Sequence, residues 1–186
     1  MNIDKVVLVD EFDNQLGLEV KLTAHLGKGK LHRAVSVLVW RPLGEGIELL
    51  IQKRSVNKSL WPGVWANTIC THPRDDESYK DCAVRRLDEE MGIKITGNQL
   101  EKVFQFKYQA SFNDELSEHE LDTVFLCNWD GRPNINQTEI ADFLWIDMDA
   151  LAKEMKEEPE SYTPWFHMIM KDERFINNIK TLNSKL

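Results

Sequence analysis

Apolar residues recur in short, dense runs over the first two thirds of the chain and at wider, helix-like intervals in the last third. The runs KVVLVD at 5–10, AVSVLVW at 34–40 and IELLIQKRS at 47–55 read as strands, and the turn-rich RPLGEG between the last two predicts a hairpin. Further strands are expected at 103–112, 122–129 and 142–148. Ser78 with Asp81 three residues on resembles a capping box, and Gly92 sits where a helix would stop, so the spacing predicts a helix over about 79–91. On that helix Tyr79, Ala83 and Leu87 form an apolar stripe, while Cys82, Arg86 and Glu90 fall on another line of i, i+4 neighbours. A second helix is expected over 149–156 and a third over 164–182, with Thr163 as its cap and Pro164 at its first position. Strands and helices mixed without regular βαβ alternation predict an α+β sandwich. No repeat, linker or Pro/Gly cluster divides the sequence, so a single domain over 1–186 is expected.

Composition narrows the function. The chain has 186 residues with 42% hydrophobic content, enough for one sizeable core, and a formal net charge of -8. That balance argues against a general nucleic-acid binder, since the phosphate backbone rewards clustered Lys and Arg. The start, MNIDKVVLVDEFDNQ, carries acids inside its apolar run and lacks the basic and hydrophobic regions of a signal peptide. No segment approaches the roughly 20 apolar residues of a membrane span. A soluble, cytoplasmic protein is the expectation. Cys70, Cys82 and Cys127 lack the dense spacing of a disulfide scaffold and the CxxC pairing of a zinc knuckle, which leaves free thiols, ligands or nucleophiles.

The segment THPRDDESYKDCAVRRLDEEMGI at 71–93 resembles the Nudix box, a loop, helix and loop written G, five residues, E, seven residues, REUxEExGU, where U is aliphatic. Glu77, Arg85, Leu87, Glu89, Glu90, Gly92 and Ile93 match; Thr71 replaces the first glycine and Arg86 the first glutamate of the acidic run. Nudix hydrolases use the clustered glutamates to hold several divalent cations around a phosphate. A guanidinium in place of a carboxylate removes a metal ligand and supplies a phosphate donor, which suits binding a diphosphate better than cleaving it. With WPGVWANTICTHP at 61–73, SEHE at 117–120, YTPWF at 162–166 and the histidine pair of HLGKGKLHRA, the chain resembles the type I isopentenyl diphosphate isomerases of the Nudix superfamily, from about Lys5 to Phe175.

That resemblance implies a Nudix-like mixed sheet sandwiched by helices. It also implies an enzyme of isoprenoid biosynthesis that interconverts isopentenyl and dimethylallyl diphosphate by a 1,3-allylic proton transfer. Cys70 and Glu120 would be the acid/base pair, Tyr108 the hydrogen-bond partner of the glutamate, and Trp165 the aromatic shield for a carbocation. His25, His32, His72, Glu118 and Glu120 would hold one Mn²⁺ or Zn²⁺, a mixed N/O set suited to such ions. Glu90 would hold a Mg²⁺ that arrives with the diphosphate, and Lys21, Arg54, Lys58 and Arg86 would bind the phosphates. Cys82 and Cys127 read as small buried hydrophobes, and His119 and His167 as histidines without a role. Gly27 and Gly29 suggest that the segment between His25 and His32 could close as a lid. Two other readings stand beside this one: a Nudix diphosphohydrolase, and a non-catalytic diphosphate-binding module. The sequence leaves open whether the protein is a monomer or a homodimer.

Overall fold

The computed structural model describes residues 4–184. Its centre is a mixed sheet that has nine strands among those residues. They are β1 (Lys5–Val9), β2 (Gln15–Val20), β3 (His32–Leu43), β4 (Gly46–Arg54), β5 (Trp65–Ala66), β6 (Ile69–Thr71), β7 (Leu100–Ser111), β8 (Ser117–Asn128) and β9 (Ile140–Asp147). Strand β3 is the hub. Along one edge it pairs in parallel with β8, from His32↔Glu120 to Trp40↔Asn128. Along the other edge β1, β6 and β4 take successive stretches, all antiparallel.

Alternation along β3 explains why helices cover both faces. Val35, Val37 and Val39 point to one side and pack on Cys82, Ala83, Leu87 and Met91 of α2 (Tyr79–Met91). Leu38, with Val124 and Leu126 of β8, points to the other and packs on Trp165, Phe166, Ile169 and Phe175. A strand buried on both faces has no reason to alternate in polarity, which is why AVSVLVW reads as a continuous apolar run. Each fully buried Val or Leu in these layers contributes about 1.5–3 kcal/mol. The expected α+β sandwich is therefore the fold observed.

The hairpin of β3 and β4 and the helix at 79–91 form where the sequence places them. Ser78 is extended, its hydroxyl accepts from the Asp81 N–H at 3.1 Å, and Gly92 closes the helix at φ 66°. A Cβ there would lie 2.9 Å from the Asn134 carbonyl oxygen, so glycine is required by space as well as by backbone angle. The capping box is only half formed, because the Asp81 carboxylate accepts from the Ser78 hydroxyl at 2.7 Å rather than from its backbone. The second helix, α3, spans Met148–Glu157.

The long helix expected over 164–182 is two helices, α4 (Pro164–Lys171) and α5 (Glu173–Asn183). Asp172 breaks it: its backbone is extended at ψ 126°, and its carboxylate accepts from the Arg174 N–H at 2.9 Å. An Asp that caps a new N-terminus satisfies a donor the helix would otherwise leave free. The apolar periodicity runs through the break because Phe166 and Ile169 of one helix and Phe175 and Ile179 of the other cover the same core. Thr163 does occupy the N-cap position of α4, yet it makes no side-chain cap, and its hydroxyl is buried without a partner. Strand β2 and the one-turn helix α1 (Lys21–Ala24) lie outside the sequence expectations.

Candidate active site

Strand register brings the chemistry together. Glu120 on β8 lies beside His32 across the parallel β3 pairing and opposite Tyr108 across the antiparallel β7 pairing. Cys70 on β6 lies opposite Ser36, two pleats along β3 on the same face as His32. His72 follows β6, and His25 follows α1. The segment from His25 to His32 is docked onto the β7–β8 turn: Gly27 N–H donates to the Glu115 carbonyl at 2.7 Å, and a Cβ on Gly29, at φ 72°, would meet the Ser117 carbonyl at 3.0 Å. These contacts fix both histidines against β8.

Ligand atoms of His25, His32, His72, Glu118 and Glu120 lie within 4.8 Å of one another. The Nδ1 atoms of His25 and His32 face the carbonyls of Lys21 and Lys30 at 2.6 and 2.7 Å. A carbonyl only accepts, so each Nδ1 carries the hydrogen and each Nε2 lone pair is turned inward, the arrangement that prepares an imidazole to ligate. His25 Nε2, His32 Nε2 and Glu118 Oε2 are buried without a hydrogen-bond partner. His25 Nε2 and Glu118 Oε2 approach to 2.8 Å without hydrogen-bond geometry, as two ligands converging on one point would. His72 Nε2 lies 2.8 Å from Glu120 Oε1, and burial, then the charges of Lys21 and the other two histidines, push its pKa well below the ordinary value. Three imidazoles and two carboxylates with orphaned inward atoms fit a divalent cation of intermediate softness.

Beside this cluster a cavity of about 260 Å³ is lined by Cys70, Glu120, Trp165, Arg54 and Lys58. Burial, then the carboxylates of Glu120, Asp122 and Glu118, hold the Cys70 thiol well above its usual pKa, so it rests protonated. Tyr108 donates to Glu120 Oε2 at 2.5 Å, and burial and the same carboxylates keep the phenol neutral. Burial works to raise Glu120, but His32, Tyr108 and His25 together hold it below the ordinary carboxylate value. The indole of Trp165 is fixed by a hydrogen bond from Nε1 to Asn67 Oδ1 at 3.1 Å, and Trp61 packs edge-on against it at 5.4 Å. Arg54 sits 5.2 Å over the same ring, its Nε and Nη2 donating to the Trp61 and Leu60 carbonyls at 3.0 and 2.8 Å.

A second cavity of about 130 Å³ shares Asp4, Lys21, His72 and Glu139 with the first and adds Arg86. Each of the other three expected phosphate-binding cations has a carboxylate partner. Lys21 lies 3.5 Å from Asp4, Lys58 donates to Glu139, and Arg86 Nη2 reaches Glu90 at 2.5 Å and Glu139 at 3.4 Å. Glu90 lines neither cavity. It is buried, one oxygen is held by Arg86, and Oε2 has no partner. Among the matching Nudix-box residues, Glu77 and Arg85 form a two-pronged pair at 2.6 and 2.7 Å that clamps the loop before α2. Cys82 and Cys127 are buried in the core on the α2 side. A larger apolar groove of about 630 Å³, between α3 and the helices that follow it, contains none of these groups.

Three contributors escaped the sequence reading. Asn67, which orients Trp165, lies within the WPGVWANTICTHP segment but drew no role there, and Glu139 stands in no recognisable pattern. Asp122 was within reach: Glu118, Glu120 and Asp122 alternate on one face of β8. Its buried carboxyl accepts from Ser36 Oγ at 2.7 Å, and burial, then Glu120, raises its pKa well above the usual value.

The NUDIX domain family matches residues 30–166. The chain is 43% identical over 162 residues to isopentenyl-diphosphate Delta-isomerase 2 of Aromatoleum aromaticum, covering 87% of this chain and 82% of that protein. It is 38% identical over 168 residues to the isopentenyl-diphosphate Delta-isomerase of Photobacterium profundum, covering 90% and 92%. Among solved structures, a Deinococcus radiodurans protein aligns with TM-score 0.65 at 19% identity over 83% of this chain and 90% of its own. A MutT protein from Methanosarcina mazei aligns at 0.58 and 19%, over 82% and 95%. The structural likenesses speak for the fold and the sequence likenesses for the branch: the chain belongs to the NUDIX family and, within it, to the isopentenyl-diphosphate Delta-isomerases.

Proposed function

We propose that this protein interconverts isopentenyl diphosphate and dimethylallyl diphosphate in the cytoplasm, as an isomerase of isoprenoid biosynthesis. The observation that carries the reading is one cavity that joins a protonated thiol, a Tyr108–Glu120 pair and an indole to a rim of phosphate-binding cations. Protonation of the terminal alkene carbon generates a tertiary cation, and loss of a proton from the neighbouring methylene gives the isomer. Nothing is oxidised and no phosphate leaves. Cys70 and the Tyr108–Glu120 pair carry these protons, each donating in one direction and accepting in the other. The Trp165 face stabilises the cation and, with Trp61, keeps water from trapping it.

Lys21, Arg54, Lys58 and Arg86 bind the diphosphate. His25, His32, His72, Glu118 and Glu120 would hold Mn²⁺ or Zn²⁺, and Glu90, through its free oxygen, Mg²⁺ with the substrate. A cation in the first set supplies fixed positive charge beside Glu120. Hydrolysis is disfavoured because Arg86 stands where the hydrolases have a glutamate, which leaves the metal cluster one carboxylate short, and Arg86 engages one of the two oxygens of Glu90. The test is a proton NMR time course with isopentenyl diphosphate and Mg²⁺ in deuterated water, with phosphate measured on the same sample. Dimethylallyl methyl signals, deuterium incorporation and no released phosphate are expected. Phosphate release without isomerisation would assign the chain to diphosphate hydrolysis, and silence in both would leave a binding module.

A further inference from the structure

Glu139 has no task in the isomerase reading, yet it stands where the two cavities meet. Its backbone is tied on both sides, with its N–H donating to the Asn136 carbonyl at 2.9 Å and its carbonyl accepting from Ser55 N–H at 3.0 Å. The same turn is bonded to the end of α2 through Asn136 N–H and the Glu90 carbonyl at 2.8 Å. The Glu139 side chain is thereby held between the loop that carries Lys58 and the helix that carries Arg86. One carboxylate oxygen engages Lys58 and the other lies 3.4 Å from Arg86 Nη2. The three side chains are only 19%, 18% and 28% exposed, so solvent screens these contacts less than a surface pair. Burial works to raise the Glu139 carboxyl, but Lys58 and then Arg86 hold it below the usual range.

Two acceptor oxygens presented to a lysine and an arginine imitate the edge of a phosphoryl group. A ligand that takes these cations must displace Glu139 or crowd it. A single phosphate exchanges one anion for another and gains little. A diphosphate brings more charge and a longer reach, which extends its contacts to Lys21. We propose that Glu139 is a specificity-determining residue: a built-in competing anion that masks Lys58 and Arg86 and sets the preference for diphosphates over inorganic phosphate and monophosphates. The inference rests on the isomerase reading, since it takes the two cations to be phosphate-binding.

The test is calorimetric titration of inorganic phosphate and of pyrophosphate, each with Mg²⁺, into the wild-type protein, Glu139→Gln and Glu139→Ala. Phosphate affinity should rise by about tenfold in both variants, the size of one freed charge-assisted contact, and pyrophosphate affinity by less, so that the ratio between them falls. Thermal melting establishes that each variant is folded. Unchanged phosphate affinity in both folded variants, with pyrophosphate still bound, overturns the proposal and leaves the isomerase reading standing. Weaker pyrophosphate binding with a raised Mg²⁺ requirement would make Glu139 a metal ligand and overturn it too. A wild-type protein that binds no pyrophosphate overturns the substrate reading and this inference together.

Discussion

At the floor of the site His25 Nε2, His32 Nε2 and Glu118 Oε2 are buried with no hydrogen-bond partner, whereas at its mouth Lys21, Lys58 and Arg86 each already face a carboxylate. Orphaned buried atoms are costly, about 1–3 kcal/mol each, and are kept where something is meant to complete them. Partnered cations carry no such orphan cost, and one anion can take the place of another. On the proposed reading, the floor would be filled once by a resident ion, and the mouth would exchange its carboxylate partners for substrate oxygens.

The strongest way to break this division is at the floor. Cys70→Ser should reduce turnover by about 10²- to 10⁴-fold, the range a positioned proton-transfer group supplies, while pyrophosphate affinity stays near wild type because no rim cation is touched. Steady-state kinetics with a parallel binding titration checks it. Near wild-type turnover would remove Cys70 from the reaction.

Metal removal comes next. Stripping the protein with a chelator should lower its melting temperature, since an ion held at a thousandfold excess over its Kd stabilises the fold by about 4 kcal/mol. In His32→Ala the gap between stripped and metal-loaded melting should shrink, and elemental analysis should find less bound metal. Unaltered stoichiometry would take His32 off the ligand set.

Between floor and mouth lies Trp165, whose face would serve the proposed chemistry and whose edge is held by Asn67. Trp165→Phe keeps an aromatic face but loses the hydrogen bond at 3.1 Å. A desolvated cation–π contact is worth about 2 kcal/mol and phenyl is weaker than indole, so turnover should fall by roughly tenfold with KM changed less. A rise in KM alone would turn Trp165 into a packing residue.

What the sequence could reveal follows the same division. Motif residues such as Glu120 and His72 were legible one by one, and β8 displays Glu118, Glu120 and Asp122 through simple alternation. What joins them was not legible: the parallel pairing of β3 with β8 sets His32 beside Glu120, and a register between segments so far apart leaves no local trace. Glu139 was silent for another reason. A carboxylate in a turn reads as a solvated residue until folding sets it between Lys58 and Arg86. Strand β2 hid because Leu16 and Leu18 are exposed on it, so no buried face imposed a pattern.

The smallest effect is expected at the outermost pair. Lys21 and Asp4 are 42% and 76% exposed and 3.5 Å apart, so solvent and salt screen them, and Asp4→Asn should change stability by no more than about 0.5 kcal/mol. Its consequence for binding has a definite sign. With Asp4 neutral, Lys21 gives up no partner when the diphosphate arrives, so pyrophosphate should bind slightly tighter, by about twofold, and the gain should vanish in high salt. A calorimetric titration at two ionic strengths decides it. A larger gain that survives salt would show that the outer pair is as firmly held as the floor, and the mouth would then be as rigid as the cluster beneath it.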